Sequence, residues 1–310
     1  MSKLPVLVLA YNRPDLTEGL MKKVAAYAPD RLYVACDGAR ASKAGDHDLV
    51  EATRFFLTSP SWRTEIHTRL LPSNQGARHA VEGAIDWFFN NESEGIIFED
   101  DCHPSRDFFH LAEHVIDRYR ANQTVWGMTG SNDAGLVFPN DCSYGFLSTP
   151  LTWGWATWAN RWKMHDVRLL NYPKNRRKIG LGAWPSRAHK LGFQRHIDSM
   201  LRSGTPEAWD YRWSWSVMSH GGLWIVSRQH LVKNVGFRPD ATNTSKRWLV
   251  EQPLGRLGRI KDPICVQPNR DADWKVLQKI HGVAKPLWLN YPILFLKFVK
   301  KKTLRAFGVQ

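Results

Sequence analysis

Three consecutive carboxylates, Glu99, Asp100 and Asp101, end the short apolar run Gly95-Ile96-Ile97-Phe98. A run of that length and composition predicts a buried strand. Packing gives no reason for three acids in succession, because neighbouring carboxylates repel one another. At the carboxyl end of a strand in an open α/β sheet, however, they stand where ligands bind, and their oxygens suit a divalent cation or a ribose hydroxyl. The chemistry predicted is that of a metal-dependent nucleotide-sugar site. The competing reading is a solvated acidic turn.

The flanking sequence supplies elements that would position such a site. Leu4 to Ala10 reads as a continuous apolar strand, followed by a turn at Tyr11-Asn12-Arg13-Pro14 and a helix from Asp15 to Tyr27. Arg31 to Cys36 is a second strand running into Asp37-Gly38, and Thr64 to Leu71 a third. The breaker cluster Pro72-Ser73-Asn74-Gln75-Gly76 opens a helix from Ala77 to Asn90, which leads to the acidic strand. Strands and helices alternating at this spacing imply a parallel, Rossmann-like sheet flanked by helices, with Asn12, Asp37, Asn74 and Asp101 on its binding edge. Further on, Phe108 to Arg120 carries a helical pattern, and Thr124 to Gly130 and Gly222 to Ser227 read as strands.

Composition narrows the partners. The 310 residues are 43% hydrophobic and 23% charged, which excludes a disordered chain, and the net charge of +14 predicts an anionic partner. The basic stretch from Lys174 to Arg202 reads as a solvated helical face, with an acceptor-phosphate site as the other reading. Four scattered cysteines, Cys36, Cys102, Cys142 and Cys265, match neither a zinc site nor a disulfide scaffold. The N-terminus carries no secretory-signal pattern, so cytoplasmic residence is expected. Fifteen tryptophans suit the faces of sugars as well as a core. The basic, aromatic run from about Lys285 to Arg305 is too short and interrupted to span a bilayer, and suits the interface of an anionic membrane or a packed terminal helix.

Taken together, the strand Pro5 to Ala10 with Tyr11-Asn12-Arg13-Pro14, Asp37-Gly38, Asn74-Gln75-Gly76, Phe98-Glu99-Asp100-Asp101, Trp153-Gly154-Trp155 and Trp209-Asp210 resemble GT-A fold glycosyltransferases. The nearest branch is that of bacterial sugar transferases related to N-acetylglucosaminyltransferase I. The resemblance spans roughly residues 3 to 245. It implies Asp101 as the ligand of Mn²⁺ or Mg²⁺, Asp100 on the ribose and Glu99 in support. Ala10, Tyr11, Asn12 and Arg13 would surround base and ribose, and Asp37 would hydrogen-bond the base. Asn74, Gln75 and Arg78 would meet ribose or diphosphate, with a surface role for Arg78 as the alternative. Trp153, Gly154 and Trp155 would wall the acceptor site, and Asp210 would be the base of an inverting transfer. Trp158 and Trp162 read as core. The donor half would cover about 1–130, the acceptor half about 131–260, and a basic extension 261–310. Related sequences tend to carry His where this chain has Asn243, a poorer metal ligand.

The function expected is transfer of a sugar, from a UDP-sugar by preference, to a glycan or lipid-linked glycan in cell-surface polysaccharide synthesis. Two alternatives remain. A sugar-1-phosphate nucleotidyltransferase needs a glycine-rich basic loop after the first strand, which Ala10-Tyr11-Asn12-Arg13-Pro14 is not. A non-catalytic nucleic-acid or membrane-binding module fits the charge, but the acids on the binding edge would repel a phosphate backbone, so no nucleic acid is expected.

Overall fold

The computed structural model describes residues 3–176, 190–191, 194–195, 198, 201–202, 209–237 and 252–279. An eight-stranded sheet forms the centre, in the order β3-β2-β1-β4-β8-β6-β9-β7. Its first half contains β1 (Val6–Ala10), β2 (Arg31–Cys36), β3 (Glu65–Leu70) and β4 (Glu94–Glu99), all parallel. β8 (Trp155–Trp158) runs antiparallel between β4 and β6 (Val125–Thr129). β9 (Leu223–Ser227) is parallel to β6, and β7 (Tyr144–Leu147) closes the far edge antiparallel to β9. β5 (Cys102–Pro104) pairs with β10 (Val232–Asn234) in a separate two-stranded ribbon.

Residues alternate between the two faces of the strands, so each strand feeds two cores. Val6, Val8, Val34, Ile96 and Phe98 pack under α1 (Pro14–Tyr27), α2 (Asp46–Thr58) and α4 (Arg106–Tyr119). Leu7, Leu9, Tyr33 and Ile97 face α3 (Ala77–Asn91) and a tryptophan-rich layer. Two four-residue helices, α5 (Ala159–Trp162) and α6 (Tyr172–Asn175), precede α7 (Trp209–Ser219). α8 (Arg270–Lys279) follows β10.

The expected strands and helices in the first 130 residues are present with end shifts of one or two residues. α2 is an addition. Its buried stripe Asp46, Val50, Thr53, Leu57 starts on a carboxylate and includes only two aliphatic side chains, so the hydrophobic pattern is weak. Residues 261–279, expected to belong to an extension, are held by the sheet. The Asp262 carboxylate accepts from Tyr144 Oη at 2.7 Å, and Asn269 N donates to Phe146 O at 2.8 Å. Asp273, 1% exposed, accepts from Ser148 N at 3.0 Å. Among the described residues no helix is long and apolar enough to cross a membrane. The run from Lys285 to Arg305 and Asn243 lie outside the described residues.

Candidate functional site

The sheet reverses its direction of growth between β1 and β4, because β2 and β3 lie on one side of β1 and β4 on the other. The loops leaving two such strands diverge and open a crevice at their carboxyl ends. Tyr11, Asn12 and Arg13 leave β1 on one side of that crevice, and Glu99, Asp100 and Asp101 leave β4 on the other.

Arg13 bridges the crevice. Its Nε donates to Asp100 Oδ2 at 3.1 Å, Nη2 to Asp100 Oδ1, and Nη1 to Asp101 Oδ2 at 3.2 Å. Burial alone would lower the guanidinium pKa, but Asp100, Asp101 and Glu99 outweigh it and hold the charge firmly in place. The Asp100 side chain is 2% exposed, and burial pushes its carboxyl up against the pull of Arg13. Burial, then the charges of Asp101, Asp100 and Asp210, raise the Glu99 carboxyl. Asp210, in the first turn of α7, is thus electrostatically part of the same cluster, and burial raises its own carboxyl. Trp209, 6% exposed and stacked on Trp155 with centroids 5.9 Å apart, anchors that turn.

The oxygen donors of Asp100 and Asp101 have the chemistry that Mg²⁺ or Mn²⁺ prefers. Among the described residues, however, no group of three or more His, Cys, Asp or Glu side chains converges as a metal cage. The arrangement fits a cation held by one or two carboxylates and completed by substrate phosphates, as Mg²⁺ usually is. Asp101 is also closed in from the far side: Asn234 Nδ2 lies 3.4 Å from its Oδ1, and a Cβ on Gly236 would fall 2.3 Å from its Oδ2. Glycine at 236 is what lets this segment approach the acid.

Asp37 has a different environment from the one expected. Its Oδ1 accepts from Gly38 N at 2.8 Å and Gln75 N at 2.9 Å, and its Oδ2 from Asn74 Nδ2 at 3.0 Å and Gly76 N at 3.1 Å. These four bonds fill the roughly four lone-pair positions of a carboxylate. Asp37 therefore clamps the loop at Asn74-Gln75-Gly76 in place of offering an acceptor to a base. Asn74 also donates to Gly38 O at 2.9 Å. Gly38 is required by contact, since a Cβ there would sit 2.3 Å from the Ser73 backbone.

Sequence reasoning missed Asp46. Fully buried at the start of α2, it accepts from Tyr11 Oη, from Asn12 Nδ2 at 2.6 Å and from Arg40 N at 2.8 Å. Burial favours its neutral form, but these donors overcome that and hold the carboxyl down at about 2. Arg40 donates in turn from Nε to Tyr11 Oη at 2.9 Å and lies over the Tyr11 ring. Tyr11 and Asn12 are thus oriented by a residue 35 or 34 positions downstream. The only local signal was an acid after Gly45, at a helix N-terminus.

The three residues expected to wall the acceptor site separate. Trp153 is half-buried at the crevice edge and meets Phe237 edge-on. Gly154 adopts φ +60°, and a Cβ there would lie 2.7 Å from Val232 Cγ1. Trp155 is 1% exposed, enclosed by Trp162, Trp209, Trp213 and Trp224, and has no open face for an acceptor. Trp158 and Trp162 are buried, as expected, although Trp158 lies on β8 and not on a helix. Arg78 and Ala10 are both half-buried, in the first turn of α3 and at the end of β1.

No family model matches the chain, and no curated protein matches it. Several solved structures are similar in part. HddC from Yersinia pseudotuberculosis matches with a TM-score of 0.31 and 10% identity, over 51% of this chain and 77% of that one. The same protein complexed with GMP-PN gives 0.32 and 11% over the same shares. Mannose-1-phosphate geranyltransferase from Thermus thermophilus gives 0.36 and 13%, over 73% of each chain. At such TM-scores the likenesses assign no activity to this chain. What the chain itself shows is an α/β fold with a mostly parallel sheet, whose switch point brings a guanidinium and acidic side chains together.

Proposed function

We propose that the protein is a nucleotide-sugar-dependent glycosyltransferase of the GT-A kind, with the crevice between β1 and β4 as its donor site. The observation that supports this most is the gathering of Glu99, Asp100 and Asp101 around one guanidinium at the switch point, with Asp210 near enough to Glu99 to help raise its carboxyl. A structural role alone gives no reason to bury repelling carboxylates at a ligand-binding edge.

On this reading Tyr11, Asn12 and the clamped Asn74-Gln75-Gly76 loop hold the nucleoside with Asp100 on its ribose, and Asp101 is the acid that would hold the divalent cation. A divalent cation bound there would neutralise the charge of the departing diphosphate. Asp210, whose carboxyl burial raises and so makes a stronger base, accepts the proton of the attacking acceptor hydroxyl. Trp153 offers an aromatic face at the crevice edge for the acceptor sugar. A glycan or lipid-linked glycan is the acceptor class, and cell-surface polysaccharide synthesis the setting.

A sugar-1-phosphate nucleotidyltransferase is the second reading. Nucleotidyl transfer consumes a nucleoside triphosphate, which puts triphosphates into the test. Thermal shift with UDP, GDP, CDP and the matching triphosphates, with and without Mn²⁺, checks the proposal. A ligand of the native state raises apparent stability in proportion to ln(1 + [L]/Kd). A diphosphate with Mn²⁺ is expected to raise Tm most. A response confined to a triphosphate would favour nucleotidyl transfer, and no response to any nucleotide would remove both readings.

A further inference from the structure

A second cavity, of about 450 Å³, lies between α3, the segment after α5 and α7. Among the described residues, Arg78, Arg168 and Arg212 line it together with His79, and Glu82 is the one carboxylate. That carboxylate is already engaged: Glu82 is 4% exposed and its Oε1 lies 3.3 Å from His165 Nε2. The nearby Asp166 accepts from Leu170 N and Asn171 N, each at 2.9 Å. The cavity lining thus carries three guanidinium groups against one carboxylate.

Arg212 is 3% exposed and donates to Val167 O. Burial lowers its pKa; Glu82 counters this, Arg78 adds to it by like-charge repulsion, and Asp166 counters it again by a smaller amount. A buried guanidinium next to a second one carries an electrostatic penalty that an anion placed between them would relieve. Guanidinium forks match phosphate oxygens in shape and charge, and Arg78 adds the N-terminal turn of α3. Arg78 follows the loop that Asp37 clamps, and Arg212 sits two residues after Asp210 on α7.

We propose that this cavity is a phosphoryl-binding subsite, in which Arg78, Arg168 and Arg212 hold a phosphate monoester or diphosphate. Two sources share that chemistry: the diphosphate of the donor and a phosphate on the acceptor. Which of them it serves rests on the nucleotide-sugar reading; the binding of a phosphoryl group does not.

The test is calorimetric titration of the full-length protein with inorganic pyrophosphate, glycerol phosphate, UDP and uridine at fixed ionic strength. Arg168 is exposed, so Arg168→Gln leaves the fold intact, which thermal unfolding verifies. Arg168→Gln is expected to weaken pyrophosphate or glycerol phosphate roughly 10-fold, and Arg78→Gln with Arg168→Gln further. Lys22→Gln, which removes the same charge from an exposed site on α1, should leave binding unchanged. If UDP weakens in parallel while uridine does not, the donor diphosphate is the occupant. If UDP is unaffected and glycerol phosphate weakens, it is an acceptor phosphate. The proposal is overturned if the wild type shows no saturable pyrophosphate or glycerol phosphate binding at millimolar concentration, if binding survives in the double variant, or if Lys22→Gln weakens it equally. Failure of nucleotides to bind, with pyrophosphate binding intact, would count against the nucleotide-sugar reading and leave the subsite standing.

Discussion

The Arg13 guanidinium stands 3.2 Å from the Asp101 carboxylate while also pairing with Asp100, so one cation from the β1 loop ties together two of the three acids at the end of β4. The arginine supplies the charge that a bound divalent cation would otherwise supply. Removing it should therefore have two linked effects. Arg13→Met leaves the buried Asp100 without its partner, which is expected to cost about 2–3 kcal/mol, just below the roughly 3–5 kcal/mol of a fully buried pair because Arg13 is 29% exposed. Mn²⁺ should then raise the Tm of the variant more than that of the wild type. Equal Mn²⁺ responses in the two proteins would show that arginine and metal do not occupy the same electrostatic position.

Asp37 offers a separate test of loop clamping against base recognition. Asp37→Asn turns an amide N–H₂ toward at least one N–H donor, leaving it unsatisfied, and should destabilise the protein by about 1–3 kcal/mol. The amides of Gln75 and Gly76 should lose hydrogen-exchange protection, since both donate to this carboxylate. Retained protection with altered base preference would return Asp37 to the role of a base contact.

Asp210 is expected to act in the chemical step. Asp210→Asn keeps its size and removes proton acceptance, so turnover should fall roughly 10²-fold or more with little change in donor affinity. A parallel loss of donor binding would make the residue structural, and unchanged turnover would eliminate it as the base.

His230 predicts a pH dependence of stability. It is 5% exposed, its Nδ1 accepts from Asn132 N at 3.0 Å, and burial, with a smaller push from Lys233, lowers its pKa from 6.5 to about 4. The folded state binds its proton less readily than the unfolded chain. Its stabilising contribution is therefore fully present above pH 6.5 and lost as pH falls toward 4, at most about 3 kcal/mol. Asp133, raised to about 6 by burial, acts in the opposite sense and lies 3.9 Å from His230 Nε2, so the two groups titrate together. The stability difference between wild type and His230→Asn should narrow between about pH 7 and pH 4 in denaturant titrations. A constant difference would mean that His230 does not titrate in this way.

The donor half of the fold was legible because its signals are local. Apolar runs such as Ile96-Ile97-Phe98 declare strands, and Gly76 and Pro14 mark helix starts. The partners of the site residues were not legible, because they depend on which loops the sheet brings together. Asp46 reaches Tyr11 and Asn12 only once α2 lies beside α1, and Arg13 reaches Asp100 only because β1 pairs with β4. Trp155 illustrates the opposite failure. Its motif placed it near the crevice, but the pleat that puts Ile97 opposite it turns its side chain into the tryptophan layer. The cavity at Arg78, Arg168 and Arg212 draws on three separated segments; the first and third adjoin motifs, and the second, at Arg168, carries none.

Acceptor-free turnover tests the glycosyl-transfer reading most directly. Nucleotide sugars with uracil, guanine and cytosine bases are incubated with the full-length protein and Mn²⁺, and free nucleoside diphosphate is measured, with Asp101→Ala alongside. Slow release of one nucleoside diphosphate and free sugar by the wild type, abolished in Asp101→Ala although the variant unfolds at a similar temperature, is the predicted result. Pyrophosphate formation from a nucleoside triphosphate and a sugar 1-phosphate, with no diphosphate release from any nucleotide sugar, would contradict it.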